Sequence, residues 1–142
     1  MLAASLLLGM VGCVEGTLEV NEPMPVADAG FDQIRFLGDG DTVVVDLDGR
    51  GSCDPQRHGV DEVRWSLVDS PLNASPLLSN AGDLRALFEA DLPGDYLIGL
   101  QVTAEERESP VDYVLVSVRE GDGDDVVVLL PEINACGDRI RS

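Results

Sequence analysis

Few residues in this 142-residue chain have the chemical character and spacing that catalysis requires. His58 is the only histidine, and no nucleophile-elbow sequence supplies the serine of a Ser-His-Asp triad. Cysteine and histidine spacing typical of a zinc site is absent, and so is a glycine-rich phosphate loop. We therefore predict no catalytic residue, no metal site and no cofactor, and we interpret His58 as a solvated side chain in a polar loop.

Two acidic, glycine-containing turns are the other candidates for a ligand site. Asp39-Gly40-Asp41 and Gly121-Asp122-Gly123-Asp124-Asp125 offer the carboxylate and backbone oxygens that calcium prefers. Neither matches the twelve-residue calcium loop, which requires a glutamate at its last position. We favour solvated acidic turns, and calcium binding is the alternative.

The charge of the chain limits its partners. It has 27 acidic residues and 9 basic ones, all of them arginine, and its formal net charge is -18. Such a surface repels nucleic acid and anionic lipid headgroups. We therefore predict no nucleic-acid partner and interpret the acidity as a solubilising surface.

The first cysteine follows an apolar run, residues 2–14, that is short for a bilayer span and typical of a signal peptide. The run includes Met10-Val11-Gly12-Cys13, which resembles the lipobox of bacterial lipoproteins. The resemblance implies cleavage before Cys13, lipidation of its sulfur and attachment to a membrane of the bacterial cell envelope. The absence of aspartate after Cys13 favours the outer membrane, on its periplasmic or surface face. One departure is that no basic residue precedes the run, so that either the true start lies upstream or the amino terminus alone supplies the charge. The alternative is a cleaved secretory signal in which Cys13 is incidental.

The other two cysteines, Cys53 and Cys136, form an even pair if Cys13 is lipidated. In an oxidising compartment such a pair favours a disulfide, which here would pin the C-terminal tail to the turn after the second strand. The alternative is two free or intermolecular cysteines.

The elements that position these residues are short segments with alternating apolar and polar residues, which predict β-strands. Trp65 and Tyr96 are predicted to face the core, Trp65 in one row with Val63 and Leu67 and Tyr96 in one row with Ile98, Leu100 and Val102. Alternation also places Ala86 and Phe88 inward, and it groups on one face of their strands Val43, Val45 and Leu47, and Val114, Val116 and Val118. Gly99 is predicted to face outward. Strands are expected at residues 32–37, 43–48, 62–68, 77–78, 84–90, 96–103 and 111–119; for residues 84–90 the alternative is a helix of one or two turns. Six or seven short strands separated by turns predict an antiparallel sandwich.

Several stretches, in order along the chain, are similar to the PKD (polycystic kidney disease) domain family. They are Ala27-Asp28-Ala29-Gly30, residues 45–55, Val63-Arg64-Trp65, Pro93-Gly94-Asp95-Tyr96 and Leu100-Gln101-Val102. The resemblance implies an all-β, immunoglobulin-like antiparallel β-sandwich of about seven strands, with Tyr96 where such domains place a tyrosine corner. It also implies a spacer, adhesive or binding module and no enzyme activity.

The predicted organisation is a lipoprotein signal peptide (1–12), a tether (13–24), the PKD-like sandwich (25–119) and an acidic linker and tail (120–142). We expect the apolar stretch Val126–Leu130 to dock on the sandwich as an added edge strand. The predicted function is a lipid-anchored, non-enzymatic module for display, spacing or weak binding of protein or glycan. Tyr113 and Leu115 are a candidate protein-facing patch. The alternative is an accessory subunit or fragment of a secreted hydrolase whose chemistry lies elsewhere.

Overall fold

The structure, a computed structural model, describes residues 22–123 and 133–140. These residues contain eight β-strands and no helix. The strands are β1 (Gln33–Phe36), β2 (Val43–Asp48), β3 (Glu62–Asp69), β4 (Leu77–Ser79), β5 (Arg85–Ala90), β6 (Gly94–Ala104), β7 (Arg107–Glu108) and β8 (Asp112–Arg119). The all-β class is confirmed, and the two-residue strand β7 accounts for one strand beyond the seven expected.

The strands form two sheets. One has the order β1-β8-β6-β3, with β7 paired to the end of β6, and the other has the order β2-β5-β4. All pairs are antiparallel except β1 and β8, which run parallel with Gln33 opposite Val116. The Gln33 side chain donates from Nε2 to the Asp46 carbonyl oxygen at 3.0 Å, and so joins β1 to β2 in the other sheet.

The core is formed by the inward-facing rows of both sheets. Trp65 is 3% exposed, and its indole Nε1 donates to the Asp83 carbonyl oxygen at 2.9 Å. The rows around it are fully or almost fully buried: Val45, Leu47, Phe88, Tyr96, Ile98, Leu100, Val102, Val114, Val116 and Val118. The alternation in the sequence therefore predicted the inward faces of β2, β5, β6 and β8 correctly, because every second side chain of a strand lies on the same face.

One core prediction on β3 is wrong. Leu67 was expected in the buried row with Trp65, yet it is 39% exposed. The β3–β6 register shifts between Leu67 and Asp69, so that Asp69 lies opposite Leu97. Such a bulge interrupts the strict alternation on which the prediction depended.

Gly99 on β6 lies on the outer face as predicted, opposite Tyr113, yet it is buried. Val111 and Val68 cover it. A Cβ built on Gly99 would lie 3.0 Å from Val111 Cγ1 and 3.3 Å from Val68 Cγ2.

Two expectations fall on residues that the structure does not describe. The docking of Val126–Leu130 and the lipidation of Cys13 both lie outside the described ranges. Within residues 22–123 and 133–140, no helix has the length and hydropathy needed to span a membrane.

Candidate functional site

The end of the sandwich at Cys53, which we name the Cys53 pole, gathers both flanking segments of the domain. The Val26 N–H donates to the Cys53 carbonyl oxygen at 2.8 Å, and the Cys53 N–H donates to the Val26 carbonyl oxygen at 2.9 Å. Cys53 also forms a disulfide with Cys136, with an Sγ–Sγ distance of 2.00 Å and a Cα–Cα distance of 6.1 Å. The structure thus pairs the two cysteines that the sequence left after Cys13.

The tail segment 133–140 makes further contacts at the Cys53 pole. The Ala135 N–H donates to the Gly51 carbonyl oxygen at 2.8 Å. Asp138 Oδ1 accepts from Arg57 Nη1 at 2.7 Å, in a pair whose two side chains are well exposed. Asn134 Oδ1 accepts backbone hydrogen bonds from residues 136 and 138, which closes a local turn. A covalent bond and several polar contacts therefore hold this part of the tail.

The most buried charge at the Cys53 pole is Asp54, whose side chain is 0% exposed. Its Oδ2 lies 3.3 Å from Arg107 Nη2 and 3.2 Å from His58 Nδ1, and its Oδ1 accepts from the Gln56 N–H at 3.1 Å. Arg107 Nη1 also donates to the Pro23 carbonyl oxygen. The carboxylate therefore connects the turn after β2, the β6–β7 hairpin and the segment that enters the domain.

The pKa of Asp54 reflects two opposing influences. Burial raises the pKa, but hydrogen bonds from the backbone of Gln56 and His58, the charge of Arg107 and the hydrogen bond with the His58 ring outweigh it. The pKa of Asp54 is therefore lowered from the ordinary value of 3.8. The carboxylate stays ionised at neutral pH, as expected for a structural ion pair.

His58 was expected to be a solvated side chain. Its side chain is 48% exposed, but its ring also contacts the Asp54 carboxylate. A His-Asp pair is one part of a hydrolytic triad, so the neighbouring groups matter. A depression beside His58 is lined by Glu22, Gln56, Glu105, Glu106 and Arg107, none of which is a hydroxyl or thiol nucleophile. The pair as described supports a structural role.

Metal ligation has no support in the described part of the chain. Residues 22–123 and 133–140 contain no group of three or more histidine, cysteine or acidic side chains that could hold an ion. The turn at 39–41 is exposed, and the second acidic turn extends into residues 124–125, outside the described ranges.

Tyr96 makes the contacts expected at a tyrosine corner. It is fully buried, and its hydroxyl donates to the Leu92 carbonyl oxygen at 2.7 Å and accepts from the Leu92 N–H at 3.2 Å. Its ring meets that of Phe88 edge to face, with centroids 5.2 Å apart. Burial raises the pKa of the Tyr96 hydroxyl despite the hydrogen bond to the Leu92 backbone.

The comparisons with known proteins bear on the fold. A scan against protein-family models and a search of curated proteins gave no match. Among solved structures, the chain is similar to the PKD domain from KIAA 1837 protein, at 27% identity and a TM-score of 0.56, over 74% of this chain and 96% of that one. The PKD domain from human KIAA0319 is similar at 17% identity and a TM-score of 0.54, over 70% and 85%. The fold is PKD-like. The immunoglobulin-like sandwich expected from the sequence is therefore confirmed.

The PKD-like domain also presents the candidate patch on the outer face of its five-stranded sheet. Tyr113 is 50% exposed and lies opposite Gly99, and the partly exposed Leu115 lies opposite Leu97. Sequence reasoning placed Tyr113 and Leu115 on this face but missed what surrounds them. It also missed the ion pair at Asp54. No local pattern marks that pair, because Asp54 and Arg107 are 53 residues apart in the sequence.

Proposed function

We propose that this protein is a lipid-anchored, extracytoplasmic and non-enzymatic module of a bacterial cell envelope. The PKD-like domain displays, spaces or weakly binds protein or glycan partners. The anchor is Cys13, at the end of the lipobox-like sequence, and residues 13–24 are the tether. Several acyl chains on one residue would hold the domain stably at a membrane, since each buried methylene contributes about 0.8 kcal/mol.

The disulfide between Cys53 and Cys136 is the observation that carries the extracytoplasmic part of the proposal. Structural disulfides persist in oxidising compartments and are rare in the cytosol. A chain with a lipobox-like sequence enters such a compartment before it is anchored, so the two features are mutually consistent.

The arrangement of the Cys53 pole supports the display role. The segment that follows the tether enters at this pole, where Val26 pairs with Cys53 and Arg107 contacts Pro23. The tail segment 133–140 is fixed at the same pole. An anchored domain would therefore present its opposite pole and its sheet faces away from the point of attachment.

The non-enzymatic part rests on how the polar groups are used. The Asp54 carboxylate is engaged by Arg107, His58 and backbone N–H groups. Among the described residues, every buried side-chain nitrogen and oxygen has a hydrogen-bond partner. Catalytic sites often hold strained or unsatisfied groups ready for substrate, and this arrangement is typical of a structural polar network.

The test is fractionation of the full chain and its Cys13→Ser variant, expressed in a Gram-negative host fed an alkyne-labelled fatty acid. We expect the wild type to be labelled and to sediment with membranes, and the variant to be unlabelled and to leave the membrane fraction. Cys136→Ser is the matched control, because it removes a cysteine of the same chain and should keep the label. An unlabelled wild type would contradict the anchor.

The binding role is tested by purifying the anchored form under mild conditions and identifying what accompanies it. A non-catalytic protein or a glycan is the expected companion. A stoichiometric hydrolase would instead favour the accessory-subunit alternative.

A further inference from the structure

The outer face of the five-stranded sheet has a centre without acidic side chains. Register places Ser66, Gly99 and Tyr113 side by side across β3, β6 and β8. Leu97 and Leu115 form the next pair along the same face. Asp32 lies at the β1 edge of this face, where its Oδ1 accepts from the Leu115 N–H at 2.9 Å. The centre itself has no acidic side chain, in a chain with 27 acidic residues.

Together with two neighbouring valines, the apolar residues of this face form a surface that we name the Gly99 patch. Its members are Val68, Leu97, Gly99, Val111, Tyr113 and Leu115. Val68 and Val111 close over Gly99 from two sides, as the short distances to a built Cβ show. Val68 is 50% exposed, Tyr113 50% and Val111 40%. A cluster of half-exposed apolar side chains with an aromatic residue is typical of a protein-binding surface.

The outer face of the other sheet provides the contrast. Asp46 and Asp48 lie outward on β2, and Glu89 lies outward on β5, where it pairs with Val44. Charged side chains therefore interrupt that face between its apolar residues, such as Leu77 at 57% exposure.

The charged residues at the border of the Gly99 patch indicate which charge a complementary partner would carry. At the end towards the opposite pole, Asp69 lies beside Leu97 because of the bulge in β3, and Asp95 lies two residues before Leu97 on β6. Both are exposed. At the other end, Arg64 faces outward close to Glu62. An apolar centre with two carboxylates at one end is complementary to an apolar group flanked by basic residues.

We propose that the Gly99 patch docks a second protein through a segment with an apolar or aromatic side chain flanked by lysine or arginine. The net charge of -18 steers cationic segments towards the domain and opposes association of two copies of this chain. The inference rests on the binding role proposed above and identifies its surface and the chemistry of the partner.

A displayed random-peptide library, panned on the full chain, tests this. We expect the recovered peptides to be enriched in apolar or aromatic residues with lysine or arginine beside them. Val68→Asp and Tyr113→Asp should each lower the affinity for those peptides by roughly tenfold or more. The double variant Asp69→Asn, Asp95→Asn should lower the affinity for the basic peptides and reduce the salt dependence of their binding.

Leu77→Asp is the matched control, because it adds the same charge at an exposed apolar position on the other sheet. Thermal melts of each variant identify any that fail to fold. If an apolar-to-Asp variant fails to fold, the Asp69→Asn and Asp95→Asn variant still tests the proposal. Recovery of no peptide, or of peptides without basic enrichment, would overturn the inference.

Two further outcomes would also overturn it. Peptides that tolerate Val68→Asp but not Leu77→Asp would place binding on the other sheet and leave the proposed binding function standing. A dimer in light scattering that Tyr113→Asp dissociates would assign the patch to a second copy. The fractionation of Cys13→Ser does not depend on any of these results, so it distinguishes a failure of the proposed lipid anchor from a failure of the proposed binding surface.

Discussion

Asp54 and Arg107 form a partly buried ion pair across 53 residues of sequence, with Oδ2 and Nη2 3.3 Å apart. Asp54 follows β2, in the three-stranded sheet, and Arg107 begins β7, in the five-stranded sheet. The pair therefore connects the two sheets at the Cys53 pole, where the flanking segments are also held.

Stability should depend on pH through Asp54. Its pKa in the folded protein lies below the ordinary 3.8, so the ionised form stabilises the fold at neutral pH. This stabilisation should be lost as the pH falls below about 4 and through the folded-state pKa. Asp54→Asn should be less stable at pH 7 and should lose less on acidification. Urea denaturation at pH 7 and pH 3 measures both effects. Asp41→Asn, in the exposed turn before β2, is the control, and an equal response of both variants would contradict this role.

Removing the Tyr96 hydroxyl should destabilise the fold. Tyr96→Phe keeps the buried ring but leaves the Leu92 N–H and carbonyl without their partner. We expect a loss of about 1–3 kcal/mol in the free energy of unfolding, measured by chemical denaturation. Tyr113→Phe deletes the same atom at a half-exposed position and should change stability by less than about 0.5 kcal/mol. Similar losses in the two variants would argue against a special role for the corner.

Trp65 is the largest side chain of the core, and its truncation should be severe. Trp65→Ala should lower the free energy of unfolding by about 3–5 kcal/mol, since the surrounding rows cannot fill the cavity. Trp65→Phe should lose less, because it keeps most of the apolar volume; its remaining loss includes the hydrogen bond that the indole donates to the Asp83 carbonyl oxygen. Far-UV circular dichroism follows unfolding in both variants. A loss below about 1 kcal/mol for the alanine variant would contradict burial of Trp65.

The disulfide should contribute strongly to stability. Cys53 and Cys136 are separated by 83 residues, and closing so long a loop stabilises by about 4–5 kcal/mol on the chain-entropy model. Cys136→Ser should therefore unfold at a lower denaturant concentration than the oxidised wild type. Reduced wild type should behave like the variant, which makes it the control. Non-reducing peptide mapping that found both cysteines as free thiols would remove the basis of this prediction.

Local patterns predicted most of the core. The alternation in β6 and β8 indicated their buried rows because both strands keep one register against each other. The position of Tyr96 after a turn likewise indicated its corner. Where a bulge shifts the register, at Leu67, the same argument failed, since alternation carries no information about an inserted residue.

Contacts between distant segments could not be predicted in the same way. Gly99 is covered by Val68 and Val111, which reach it from separate parts of the chain. The partner of Asp54 lies on a hairpin whose approach depends on the packing of both sheets. The sequence around Asp54 indicated only a turn, because aspartate before proline is common in turns.

The covalent ring closed by Cys53 and Cys136 has a mechanical consequence. If the two ends of the chain were drawn apart, the load would pass along the backbone to Cys53, cross the sulfur bridge and leave at Cys136. The chain between the two cysteines includes β3 to β8, and the bridge prevents it from being extended. The greater part of the sandwich therefore could not be stretched by force applied at its ends while the bridge is intact.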